Sequence, residues 1–298
     1  MRALLTGGVA LLLLVGAACG SGSKNTSRVR ETNSLGPSIG TIKSIVVDPH
    51  NQRIVYAVDD GFPTLIKSTD AGASWRVALQ SGSQSPVGYS QSFYHSLLAS
   101  ALAFDPRAPR TIYAGATFAR AYRLIKSTDG GRSWRNAGLK GQEVEALAIS
   151  PNSRIIYAGT SALTGLLFKS TNGGATWQTT GLANTEVPQL ALDPRNAETV
   201  YAGAGFDGGV FKSTNGGESW RLIGLRDDDV EALAINPAKS QTVYAGTLNG
   251  LFKSTDAGRT WRSAGPGGKE VWAVAIAPSG RVVYAGGNDG MVFTLRFG

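Results

Sequence analysis

Lys126-Ser127-Thr128-Asp129-Gly130-Gly131-Arg132-Ser133-Trp134-Arg135 decides the fold, because the chain carries this phrase five times. The pattern Ser-x-Asp/Asn-x-Gly-x-Ser/Thr-Trp recurs from Ser68 to Trp75, Ser170 to Trp177, Ser213 to Trp220 and Ser254 to Trp261. Five of the six tryptophans fall inside it, which removes chance as an explanation. Short apolar runs precede each copy (Leu65-Ile66, Leu124-Ile125, Leu167-Phe168, Val210-Phe211, Leu251-Phe252), and strand-like sequence follows. That is the grammar of a β-hairpin whose turn is the phrase itself. Asp70, Asp129, Asn172, Asn215 and Asp256 are placed to fold their side chains onto nearby amides. The glycine two positions later accepts φ > 0, and the hydroxyls satisfy further turn amides. Trp75, Trp134, Trp177, Trp220 and Trp261 are expected to enter the outgoing strand as core, each contributing about 4 kcal/mol by burial.

Working outward, two more segments repeat. An alternating apolar strand comes first, as in Val144 to Ile149 and Val230 to Ile235, and ends in a turn such as Asp48-Pro49, Asp105-Pro106, Asp193-Pro194 or Asn236-Pro237. A second strand follows around Val-Tyr-Ala-Gly, at 200–203, 243–246 and 283–286, with variants at 54–57, 112–115 and 156–159. With the strands that flank the phrase, each unit has four. The phrase serines are spaced by 59, 43, 43 and 41 residues, and a four-stranded unit of about 40–45 residues is a propeller blade. Five units are complete. The remainder, Glu270 to Gly298, has three strands and no phrase, whereas Arg28 to Gly36 resembles an outer strand without its tryptophan. The expectation is an all-β fold: a single six-bladed β-propeller of four-stranded blades over 28–298, its last blade closed by the N-terminal strand.

The phrase resembles the Asp-box, or bacterial neuraminidase repeat, of sialidases, sortilin-type receptors, xyloglucan-cleaving glycosidases and photosystem II assembly factors. The resemblance covers nearly all of the chain after the leader. It implies a fold signature on a hairpin away from the ligand face, and a scaffold of this kind carries many functions.

The start reads as an export signal over 1–18: Met1-Arg2, an apolar run from Ala3 to Ala18, then the only cysteine, Cys19. Leu14-Val15-Gly16-Ala17-Ala18-Cys19 resembles a lipoprotein box, which implies lipid attachment at Cys19. Gly16-Ala17-Ala18 also suits an ordinary signal peptidase, which leaves a secreted soluble chain as the alternative. Residues 19–27 read as a flexible tether. One cysteine excludes an intrachain disulfide. The net charge of +8 comes largely from the repeat. Lysines 67, 126, 169, 212 and 253 precede the phrase serine, and Arg76, Arg135, Arg221 and Arg262 follow the tryptophan. A solvated rim that discourages edge-to-edge pairing accounts for them; adhesion to an anionic envelope surface is the sharper reading. Nucleic acid is not expected as a partner.

In a propeller the phrase and the Asp-Pro turn share one face, so ligands are sought on the other. The long first spacing inserts Gln80 to His95 between blades one and two, and blade two expands over Thr117 to Arg123. Tyr89, Phe93, Tyr94, His95, Phe118, Arg120, Tyr122 and Arg123 are candidates for a sugar or peptide platform; otherwise these aromatics tuck against the blade tops. Glu143, Glu186, Asp229 and Glu270 start successive inner strands, with Glu145 and Glu231 two residues on. Such carboxylates either line the channel mouth, for a cation or for glycosidic cleavage, or cap amides between blades. Asp207-Gly208, Asn249-Gly250 and Asp289-Gly290 read as two-residue hairpin turns without metal. A sialidase mechanism requires an arginine triad, a Tyr–Glu pair and an acid. Arg53-Ile54-Val55 is the nearest approach to the usual arginine motif and lacks its proline. No catalytic residue is assigned. The expected function is non-catalytic binding or assembly with a protein or surface glycan, anchored by lipid to a membrane, without cofactor or metal. The alternative is a glycoside hydrolase of the sialidase-like class that uses the channel-mouth carboxylates.

Overall fold

A computed structural model describes residues 28–32, 42–48, 51–59, 64–80, 98–118, 121–129, 133–161, 165–183, 185–205, 208–265, 268–287 and 292–296. It is an all-β propeller of antiparallel four-stranded sheets. Five blades are each made of consecutive strands. Blade one has Ile42–Val47, Val55–Asp59, Thr64–Ser68 and Arg76–Gln80. Blade two has Leu98–Asp105, Ala108–Phe118, Ala121–Ser127 and Arg135–Asn136. Blade three has Val144–Ile149, Ile156–Thr160, Leu166–Ser170 and Gln178–Ala183. Blade four has Gln189–Asp193, Asn196–Ala204, Gly209–Ser213 and Arg221–Gly224. Blade five has Val230–Ile235, Val243–Thr247, Gly250–Ser254 and Arg262–Ser263.

The remaining sheet is composite. Ala273–Ile276, Val282–Gly286 and Val292–Arg296 form its inner three strands. Arg28–Thr32 pairs antiparallel with the third of them, Arg28 opposite Arg296 and Thr32 opposite Val292. On its other side this sheet packs against blade one, where Ile42, Ile45 and Val55 share a buried cluster with Ala273, Ala275 and Tyr284. The core as a whole lies between blades. Equivalent clusters join blades two to three, three to four, four to five, and five to the composite sheet.

The repeated phrase forms its turn in the expected way, but the serine is its hub. Ser68, Ser170, Ser213 and Ser254 are buried, and each Oγ accepts from the amide four residues on, at 2.8 Å for Gly72 and 2.9 Å for Gly258. The same hydroxyl donates to the Asp or Asn side chain, at 2.8 Å to Asp70 Oδ1. That oxygen in turn accepts the amide of Ser74, Ser133, Thr176, Ser219 or Thr260. Asp and Asn interchange because the last bond reverses polarity. Ser74 and Thr260 donate their hydroxyls to aspartate, whereas Asn172 and Asn215 donate Nδ2 to Thr176 and Ser219. These bonds, the Ser74 and Thr260 hydroxyls first, hold Asp70 and Asp256 down at a pKa of about 2. Two successive residues turn left-handed, Ala71 and Gly72 in one copy and Ala257 and Gly258 in another.

The tryptophans depart from expectation. All five are half-buried and precede the outer strand instead of entering it, since that strand opens at Arg76, Arg135, Gln178, Arg221 or Arg262. Trp177 donates Nε1 to Ala137 of the preceding blade at 3.0 Å, while Trp220 and Trp261 bond within their own turns. Among the described residues, the largest fully buried side chains are the tyrosines of the second strands, Tyr113, Tyr157, Tyr201, Tyr244 and Tyr284. Their hydroxyls reach into the turn of the next blade: Tyr113 to Gly173, Tyr157 to Gly216, Tyr201 to Ala257, and Tyr284 across to Ala71 of blade one. Lys126, Lys169, Lys212 and Lys253 lie over these rings, 4.7 Å from the centroid at Tyr113. Those ring contacts lie within one blade, but Lys169 and Lys212 also donate Nζ to Gly216 and Ala257 of the next blade, so lysines that the sequence places on a solvated rim help to clamp blade to blade.

Candidate functional site at the channel mouth

Sequential antiparallel strands put the inner-to-second turn and the phrase turn at one end of each blade. The two layers touch there: the amides of Ala71, Gly216 and Ala257 donate to Arg53, Glu198 and Gln241. The opposite end carries the second-to-third connections, the blade crossovers, and the residues that begin each inner strand.

At that end the blades approach closely through the glycine that closes the Val-Tyr-Ala-Gly strand. A Cβ on Gly159 would stand 2.3 Å from the carbonyl oxygen of Val187, and one on Gly246 would stand 2.6 Å from that of Val271. Gly286 faces the side chain of Ile42 of blade one, whose Cγ2 would stand 2.7 Å from an added Cβ. A side chain larger than hydrogen would push the next inner strand outward.

The strand starts also carry a bulge. In blade three, Val144 pairs with Thr160 and Ala146 with Gly159, so Glu145 is the extra residue; in blade five Glu231 holds the same place between Val230 and Ala232. A bulge interrupts alternation and re-aims its side chain. Val144 and Ala146 are buried against neighbouring blades, and Glu145 is turned out of that packing.

The structure brings Glu143, Glu145 and Glu186 together, with Asp229 and Glu231 of the next crossover near enough to repel them. Burial first, then the charges of Glu186 and Glu143, push Glu145 up to about 7. Burial also raises Glu186, and a hydrogen bond from Glu145 opposes that rise. The two carboxyls therefore stand close enough for each to influence the other's proton affinity. Glu143 accepts from Ser161 Oγ at 2.9 Å. Glu186 lies against Gly205, whose missing side chain leaves it room. Glu270 is engaged separately, accepting from Trp272 Nε1 at 3.1 Å. Among the described residues, no three of His, Cys, Asp and Glu converge in a metal-holding arrangement.

Of the aromatic platform, Tyr89, Phe93, Tyr94, His95 and Arg120 lie outside the described residues, as does Cys19. Phe118 ends the second strand of blade two. Tyr122 and Arg123 are half-buried in a strand continuous with the third, paired with Thr117 and Ala116. The expected loop is thus mostly a lengthened hairpin. Tyr122 accepts from the amide of Gly141 at 2.9 Å, which sets the hairpin beside the segment leading to Glu143. Asn249-Gly250 is the expected hairpin turn, and Asn249 Nδ2 donates to Asp228 at 2.8 Å.

Sequence reasoning ranked Glu143, Glu186, Asp229 and Glu270 alike. It passed over Glu145 as the most perturbed group, although Val-Glu-Ala-Leu-Ala-Ile recurs in blades three and five with Glu where alternation calls for an outward residue.

The fold and this channel mouth define a β-propeller. No family model matches the chain, and no curated protein is similar enough in sequence to be matched. Among solved structures it is similar to an ancestral GH74 enzyme, with 24% identity and a TM-score of 0.59 over 86% of this chain. The match spans only 36% of that enzyme's length. It is also similar to YCF48 bound to D1 peptide, with 15% identity and a TM-score of 0.52 over 92% of this chain and 98% of that one. A candidate gluconolactonase matches with 12% identity and a TM-score of 0.66 over 91% and 92% of the two chains. At such identities the likeness is one of fold, shared by hydrolases and by a peptide-bound protein.

Proposed function

We propose that the chain is a binding propeller, not an enzyme, and that it takes an extended protein segment at the channel mouth. In this reading it is a six-bladed Asp-box wheel in which the composite sheet counts as the last blade, closed by the N-terminal strand. Residues 1–18 direct export, Cys19 carries a lipid, and 19–27 tether the wheel to the outer side of a membrane. Release as a soluble secreted chain is the alternative for that step. The observation that carries the reading is the contact between Glu145 and Glu186. Glycosidase carboxyls stand about 5–5.5 Å apart when retaining and about 6.5–9.5 Å apart when inverting, with the sugar between them. Glu145 and Glu186 crowd each other closely enough to perturb each other's protonation, an arrangement unlike a pair set apart around a sugar. They offer instead a preformed acceptor group with surplus negative charge, suited to lysine, arginine or amide donors of a bound chain. The similarity to YCF48 in its peptide-bound form supports a protein partner over a glycan.

The test presents the full chain carrying Cys19→Ser to peptide and glycan arrays, read for both capture and hydrolysis. Capture of peptides rich in basic residues, weakened by Glu143→Lys and by Glu186→Lys, supports the reading. Sugar release that disappears in Glu145→Gln or Glu186→Gln would replace it with the hydrolase, and capture of glycans alone would replace the partner.

A further inference from the structure

The face opposite the channel mouth is basic in a pattern that the repeat does not require. The turn between inner and second strands carries one exposed cation in every sheet: Arg53, Arg107, Arg154, Arg195, Lys239 and Arg281. Three neighbouring pairs of these turns touch. Ser153 donates to Asp105 of blade two, Arg195 Nη2 donates to Ala238 of blade five at 2.5 Å, and Asn236 Nδ2 donates to Gly280 of the composite sheet at 2.9 Å. Outside this ring stands a second, the exposed arginine after the turn tryptophan in blades one, two, four and five. The carboxylates of the same face mostly turn inward: Asp48, Asp105 and Asp193 accept turn amides, and Asp70 and Asp256 are enclosed by the phrase. Ten exposed bases thus stand on this face against the exposed acids Glu198 and Glu218, while the opposite face gathers Glu143, Glu145, Glu186 and Asp229. The wheel is electrically two-sided.

Chain direction adds an independent constraint. Arg28 pairs with Arg296, and Arg296 ends a third strand, the position from which every other blade enters its phrase turn. The chain therefore joins the wheel at the basic face. Eight residues lie between Cys19 and Arg28, a reach of about 30 Å at full extension. We propose that the basic turn face lies against an anionic phospholipid surface and so presents the channel mouth away from it. The charge argument stands alone, and the tether argument rests on the proposed anchor at Cys19.

The experiment uses the full chain with Cys19→Ser, so that no attached lipid contributes, and measures flotation with phosphatidylglycerol-containing and pure phosphatidylcholine vesicles. Binding is expected to the former only, falling about tenfold or more between 50 and 200 mM salt. Arg154→Glu with Arg281→Glu should weaken it about tenfold or more, whereas Lys140→Glu with Arg226→Glu, an equal charge change on the channel-mouth face, should leave it within about twofold. Circular dichroism and melting verify folding of both pairs; if the first pair fails to fold, Arg154→Glu alone is compared with Lys140→Glu. Absence of binding to anionic vesicles, equal loss in both pairs, or tighter and more salt-resistant capture by dextran sulfate would each overturn the proposal. Peptide capture at the channel mouth is a separate readout, so either idea can fail without the other.

Discussion

The two faces of the wheel are built by the same strands and held by opposite means. At the turn face, blades are joined by large side chains that reach outward: a buried tyrosine bonds the next blade's turn while a lysine covers its ring. At the channel mouth they are joined by the absence of a side chain, glycine against the neighbouring strand. The serine and Asp or Asn side chains of the turn face are consumed in fixed hydrogen bonds, whereas the buried Nε1 of Trp75 has no partner. At the channel mouth carboxylates crowd one another, and one keeps a proton to relieve the charge. The difference teaches where rigidity and crowding have been separated: the turn layer fixes the blades through hydrogen bonds and leaves its cations outside them, while the other end of each strand brings like charges together.

The largest effect that can break this comparison is loss of a turn-face tyrosine. Tyr157→Ala should cost about 3–5 kcal/mol in denaturant unfolding, and more than Trp177→Ala, because the tyrosine is fully buried and the tryptophan half-exposed. The reverse order would return the tryptophan to the core. Next comes the glycine contact. Gly246→Ala places a methyl 2.6 Å from a backbone oxygen and should cost about 1–3 kcal/mol by overpacking; a neutral result would show that the blades do not approach there.

The third prediction concerns the crowded acids. Glu145 holds its proton up to about 7 in the folded wheel, against a usual value near 4.5. Folded protein therefore binds more protons than unfolded between these values, and stability falls as pH rises through the window. Below it both states are protonated and nothing is lost. Glu145→Gln should leave stability unchanged at pH 4 and raise it on the order of 1–2 kcal/mol at pH 8. Parallel melting curves across that range would show that the carboxyls are not coupled. The smallest effect lies in the turn itself. Ala257 occupies a left-handed conformation at φ 61°, and glycine stands at the matching position in blades three and four. Ala257→Gly relieves a strain of about 1–2 kcal/mol against the added freedom of the unfolded chain, a net gain of less than about 1 kcal/mol by calorimetry.

How much was legible in advance differs by residue. The hydrogen-bonded phrase follows from types and spacing, since Ser, Asp or Asn, and Gly act on amides a few positions away. The Val-Tyr-Ala-Gly tyrosine is visible as a repeat, yet its partner lies 59 residues on for Tyr157 and 213 residues back for Tyr284, distances at which sequence carries no geometric information. Glu145 was hidden for a related reason. Alternation marks it as outward, but its shifted proton depends first on burial between blades and then on Glu186, contributed by another blade.

What the sequence alone determined was local and periodic: the turn chemistry, the four-strand unit and its repetition, all set by interactions within one unit. Only the tertiary structure decided which repeated residue is innermost, which carboxyls meet, and that one face is basic while the other is acidic. Those properties arise when successive units are rotated about a common axis, which brings equivalent residues of different blades together at distances that no spacing along the chain records.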